Sequence, residues 1–209
     1  MLNSMQKDVL TEMINVYVGR AAGLLSEMVN QRIILSVPKI ELITVSSADE
    51  SSKHFPPIFT PGHIISSSMR FGQSFEGKAF LIFPAEQAKL LVNACLGEDL
   101  LVQVDKETLD FIDTDFDVLK EISNVILNAV IGEFGNFLDT KLEYSLPDIE
   151  LIYVSESEQK ILLKENTYIL ILHTAFWLAE TQVKGVIMIA LSMNSVTWLI
   201  EKIDTLLED

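Results

Sequence analysis

The nine residues DVLTEMINV at positions 8–16 return as DVLKEISNV at positions 117–125, and this repeat sets the architecture expected of the whole chain. Extending the alignment at the same offset of 109 residues, without a gap, gives 15 identities over the 39 positions from residue 8 to residue 46. Unrelated segments of this composition match at roughly 2 or 3. The identities include IELI at 40–43 against IELI at 149–152, and the pairs Asn15/Asn124, Gly23/Gly132 and Pro38/Pro147. A repeat of this length marks an ancestral duplication, with one copy over approximately residues 1–100 and the other over 110–209.

Each copy reads as a long helix, a strand around the proline, a two-stranded hairpin and a shorter helix. The hairpins end at EGKAFLIFP and VKGVIMIALS, with Gly77 and Gly185 expected at equivalent turns, and Pro84 suits the start of a helix running to about Leu96. The segment at 46–61, SSADESSKHFPPIFTP, lacks periodicity and reads as an exposed loop, with a shorter counterpart at 156–166. Strands with one apolar face need a shared core, so residues 1–209 are expected to form one pseudo-twofold α+β domain.

Composition narrows function. The chain has 209 residues, 49% of them hydrophobic, and 15 Lys and Arg against 30 Asp and Glu, for a net charge of −15. That charge opposes phosphate backbones and anionic lipid, so neither nucleic acid nor a membrane surface is an expected partner. The longest uncharged run, 185–200, carries Ser192, Asn194, Ser195 and Thr197 and is too polar for membrane insertion. A single Cys95 and an N-terminus lacking a signal-peptide core point to a cytoplasmic protein. Nine acidic and two basic residues between 98 and 121 supply −7 of the charge and read as a solvated connection leading into a helix N-terminus.

Helical geometry puts the repeated polar residues on one face. At about 100° per residue, Asp8, Glu12 and Asn15 fall in a stripe roughly 60° wide, which Gly19 continues without a side chain. Leu10, Met13, Ile14, Tyr17, Val18, Ala21, Leu24, Leu25 and Met28 lie opposite as the expected core face, so the stripe is expected to point outward. The second copy repeats the stripe with Asp117, Glu121 and Asn124, with Asn128 in place of the glycine, while Leu119, Ile122, Ile126, Val130 and Phe137 face inward. Exposed residues without a role drift after duplication faster than a core does. Here the stripe is retained while many inward positions changed, which marks it as a site.

The spacing D-x3-E-x2-N-x22-P, present twice, resembles the signature of the CheC/CheX/FliY phosphatases, and the resemblance covers both halves. The first copy also resembles that family downstream of the amide, at Gly19, Ala21, Ala22 and Ser26, whereas Arg20 and Gly23 depart from it, as do Asn128 and Ile131 in the second copy. Two signatures resemble CheC more than CheX, which has one site, or FliY, which has an additional domain. The resemblance implies an antiparallel six-stranded sheet with the long site-bearing helices packed on it. It also implies an activity, hydrolysis of the aspartyl phosphate of a CheY-like response regulator.

In that reading Asn15 and Asn124 orient the attacking water, since a carboxamide both accepts and donates without titrating. Glu12 and Glu121 pair with the regulator's active-site lysine. Gly19 and Asn128 lie where the partner approaches; Asp8 and Asp117 either reinforce docking or bond backbone groups near the helix start. The Mg²⁺ required by the phosphoryl group is expected on the regulator, leaving this chain with no cofactor of its own. No two of His54, His63 and His173 have metal-ligand spacing, so no metal site is expected. The family's likeness also implies CheD as a partner, although no residue here commits the chain to it. The alternative from a different class is an adaptor that binds the regulator without catalysing turnover. Neither a phosphate-binding G-x-x-x-x-G-K-[ST] nor an H-E-x-x-H motif is present.

Overall fold

In a computed structural model the residues described are 2–45, 61–97, 110–155, 167–178 and 181–208. Residues 46–60 of the loop expected at 46–61, its shorter counterpart at 156–166, and residues 98–109 of the acidic connection expected at 98–121 lie outside them.

The first long helix, α1 (Ser4–Val29), starts at a capping box: Asn3 Oδ1 accepts from Gln6 N and Gln6 Oε1 accepts from Asn3 N, both at 2.9 Å. It ends where Asn30 takes the left-handed conformation. The strands β1 (Ile33–Val45), β2 (Gly62–Gly72) and β3 (Gly77–Pro84) follow, then α2 (Ala85–Leu96), whose end is fixed by Gly97 at φ 71°. The second copy runs α3 (Asp113–Phe137), β4 (Glu143–Tyr144), β5 (Asp148–Val154), β6 (Thr167–Leu178), β7 (Thr181–Leu191) and α4 (Met193–Glu208). At the start of α3, Asp115 Oδ2 accepts from Ile112 N at 3.0 Å and from Lys89 Nζ of α2 at 2.6 Å. With Asp115 only 2% exposed, this buried pair ties the two helices together.

The antiparallel sheet runs β1-β6-β7-β3-β2, and β4 and β5 both pair with the outer edge of β2. Strands of the two copies are interleaved: β1 pairs with β6 of the second copy, and β5 with β2 of the first. The α+β class and the antiparallel sheet expected from sequence are found, with seven strands in place of six. The seventh has a local origin. At the offset of the repeat, β4 and β5 together correspond to β1, and the break at 145–147 corresponds to 36–38, where β1 shifts register between Ser36 and Lys39. Both prolines therefore sit at an irregularity in a sheet-edge strand, where a missing N–H costs no ladder bond.

Alternate strand residues feed two apolar clusters. Leu170, Leu172 and Phe176 of β6 join Leu10, Ile14, Val18, Ile126 and Val130 of the long helices in the main core. Ile169 and Ile171 join Ile64, Ile82, Val186 and Met188 in a second cluster. Two expectations need correction. Leu24 and Met28, placed on the core face of α1, are 55% and 47% exposed on the last two turns of the helix. Gly185 is not in a turn: it lies within β7 opposite Thr174, and a Cβ there would collide with the Phe83 ring, so the close packing of that ring requires glycine.

Candidate functional site

The two stripes are carried by α1 and α3, which pack against one another and are joined by an ion pair from Arg20 Nη1 to Glu133 Oε1 at 2.5 Å. Beside that pair, Tyr17 is pushed above its ordinary value by burial and by the Glu133 charge, against the opposing effect of Arg20. Spacing within either helix gives no signal for a contact between copies, so the sequence reading missed it.

In the first copy Asp8, Glu12 and Gly19 are exposed. Among the described residues, and apart from the backbone of its own helix, Gly19 has no atom within 4 Å of the place a Cβ would occupy, and neither has Gly23 one turn on. Val16, which the repeat retains but the stripe reading passed over, is 51% exposed beside Asn15. Among the described residues, neither Asp8 nor Asp117 bonds the backbone at its helix start; Asn3 and Gln6, and Asp115, take those groups.

Asn15 departs from the outward orientation expected of it. It is half-buried, and its amide turns to β1: Val37 N donates to Asn15 Oδ1 at 2.8 Å, and Asn15 Nδ2 donates to Val37 O at 3.2 Å and to Thr11 O at 2.9 Å. Two effects compete for this side chain, a place in the outward stripe and the demand of a buried backbone for partners. Val37 is fully buried at the register shift of β1, and an unpaired buried N–H and C=O cost more than an amide gains from water.

The second copy differs. Asp117 and Glu121 are exposed, and Asn124 and Asn128 are half-buried and joined by a hydrogen bond from Asn128 Nδ2 to Asn124 Oδ1 at 2.7 Å. Leu146, which corresponds to Val37, is 76% exposed, while Pro147 is buried. The structure thus brings Asn124 and Asn128 together, leaves the four carboxylates open to solvent and separates the two copies by how each holds its amide. Among the described residues no cluster of three or more His, Cys, Asp or Glu is placed to hold a metal ion, and no helix is long and apolar enough to cross a membrane. His173 bonds Glu41 across β1 and β6 at 2.7 Å, and His63 packs edge-on to Tyr153.

No family model matches the chain. The chain is 25% identical over 146 residues to the CheY-P phosphatase CheC of Bacillus subtilis, covering 70% of this chain and 66% of that protein. It is 21% identical over 159 residues to the flagellar motor switch phosphatase FliY of the same organism, covering 75% of this chain and 38% of that one. The chain therefore spans less than two thirds of the length of these relatives. In fold it is similar to Thermotoga maritima FliY, with a TM-score of 0.75 at 15% identity over 98% of each chain. It is also similar to the FliM middle domain of H. pylori, with a TM-score of 0.64 at 10% identity over 96% of this chain and 99% of that one. In its repeated signature and in sequence this chain is similar to the phosphatases CheC and FliY, and it shares its fold with FliY.

Proposed function

We propose that this chain is a cytoplasmic phosphatase acting on the aspartyl phosphate of a phosphorylated CheY-like response regulator. The observation that carries the reading is the stripe itself. The same aspartate, glutamate and asparagine recur on α1 and α3, the carboxylates are exposed in both copies, and two relatives similar in sequence are named as phosphatases.

The reaction asks little covalent chemistry of the protein. The water oxygen forms a bond to phosphorus, the bond from phosphorus to the aspartyl oxygen breaks, its electron pair returns to the carboxylate, and the water protons leave with inorganic phosphate. Catalysis is then alignment of the water and compensation of charge in a loose transition state. In this proposal Glu12 and Glu121 pair with the lysine of the regulator, drawing its phosphorylated site against the helix, and an amide of the stripe holds the water in line. Asp8, Asp117 and Gly19 shape the approach. Mg²⁺ belongs to the regulator, and this chain contributes no cofactor.

One observation favours a second reading, binding without turnover. Both N–H bonds of the Asn15 amide are already taken inside the chain, so the first copy can present Glu12 as a docking group without a free amide beside it. The two readings part on Asn15→Ala/Asn124→Ala, assayed with a regulator carrying radiolabelled aspartyl phosphate. The phosphatase reading expects wild-type acceleration that the double variant loses while binding persists. An adaptor has no acceleration to lose.

A further inference from the structure

The two copies hold their carboxamides by different means, and the difference starts in the strands. In β1 the register shift leaves Val37 between two paired runs, buried, and Asn15 bonds both its N–H and its C=O. The remaining N–H of the Asn15 amide goes to Thr11 O, so the whole donor capacity of that amide is spent. In the second copy the strand is broken at the corresponding place and Leu146 stands in solvent, where water can serve its backbone. Asn124 is not called on to clamp it. Its Oδ1 accepts from Asn128, and among the described residues its Nδ2 has no partner, which leaves both N–H bonds and one Oδ1 lone pair for a water and a phosphoryl oxygen.

Asn128 occupies the position of Gly19 in the first copy, four residues after the amide, which puts it on the same face one turn along. A side chain there narrows the approach for a partner, and its gain is the bond that fixes the Asn124 rotamer. We infer that, on the phosphatase reading, turnover is carried by the second copy: Asn124 is the amide that orients water, Asn128 is the positioning residue that holds it, and Asn15 is a clamp on β1.

The test uses the full chain and a CheY-like regulator bearing radiolabelled aspartyl phosphate, with the initial rate followed against regulator concentration. Asn124→Ala is expected to lower kcat by a factor of about ten or more, although Asn15 remains in place. Asn128→Ala is expected to lower kcat about fivefold with KM changed less than about twofold, and Asn128→Gln to recover part of the loss. The side-chain amide resonances of Asn124 in a ¹⁵N spectrum should shift in Asn128→Ala while those of Asn15 stay in place. A folded Asn124→Ala that keeps half or more of the wild-type kcat would overturn the assignment of turnover to the second copy. An Asn128→Ala protein with unchanged kcat would overturn the positioning role. Wild-type protein that binds the regulator without accelerating phosphate loss would sink the phosphatase reading, and this inference with it.

Discussion

Asn15 grips Val37 at both ends of its amide, accepting the Val37 N–H at 2.8 Å and donating to the Val37 carbonyl at 3.2 Å, and so binds the middle of α1 to the irregular point of β1. Residues 22 apart in sequence are joined across the helix–sheet interface by the residue that spacing alone assigns to chemistry. Removing the amide leaves a buried N–H and C=O without partners, at a cost of about 1–3 kcal/mol. Urea unfolding of Asn15→Ala should show that loss, and Asn124→Ala, which strands no buried backbone group, should lose under about 1 kcal/mol. Equal losses would contradict the clamp.

Gly19 is a glycine in mid-helix with open space around it. Gly19→Ala should raise stability by about 0.5–1 kcal/mol through helix propensity, since among the described residues the added methyl meets no neighbouring element. If a partner backbone passes over this point, the same substitution weakens regulator binding, measured by titration calorimetry. A more stable variant with unchanged affinity would remove Gly19 from the docking face.

Glu41 lies on β1 between Lys39 at 2.9 Å and His173 at 2.7 Å. Partial burial pushes its carboxyl up, but the hydrogen bonds and charges of Lys39 and His173 together outweigh burial and hold it below its ordinary value of 4.5. A carboxyl depressed on folding contributes stability in full above its unfolded pKa and loses it as pH falls through the folded one. The stability gap between wild type and Glu41→Gln should therefore be open at about pH 5 and close below about pH 4, and it should stay under about 1 kcal/mol for a partly exposed pair. Urea midpoints taken across pH 3–7 check this; a gap that widens on acidification would contradict it.

Burial pushes the Cys95 thiol up to about 11, which leaves almost no thiolate at neutral pH. Labelling by a disulfide reagent at pH 8 should be slow in the native protein and fast in denaturant. Rapid labelling of native protein would place Cys95 in a more open environment than α2 gives it.

Much of the fold is legible in the sequence because duplication prints each element twice. The helix–strand–hairpin–helix order, the start of α2 after Pro84 and the core stripe through Leu10, Ile14 and Val18 all follow from local periodicity. What sequence hides is non-local. The exchange of β1 and β5 between copies depends on which edges meet, and the ion pair of Arg20 with Glu133 on how two helices cross. The stripe is legible as Asp8, Glu12 and their repeats, whereas the fate of each amide is not, because it turns on whether Val37 or Leu146 is buried. Identical residues at identical spacing are thus put to different uses by unequal strands.

On the proposed function, an amide of the stripe drives loss of aspartyl phosphate from a CheY-like regulator. The direct measurement is the decay of radiolabelled phosphate on that regulator with wild type, Asn124→Ala, and Glu121→Ala at fixed protein concentration. Faster decay is expected with wild type, a loss of about tenfold or more in that acceleration with Asn124→Ala while binding is retained, and weakened binding with Glu121→Ala. Decay at the spontaneous rate with bound wild-type protein would rule out that role for the stripe.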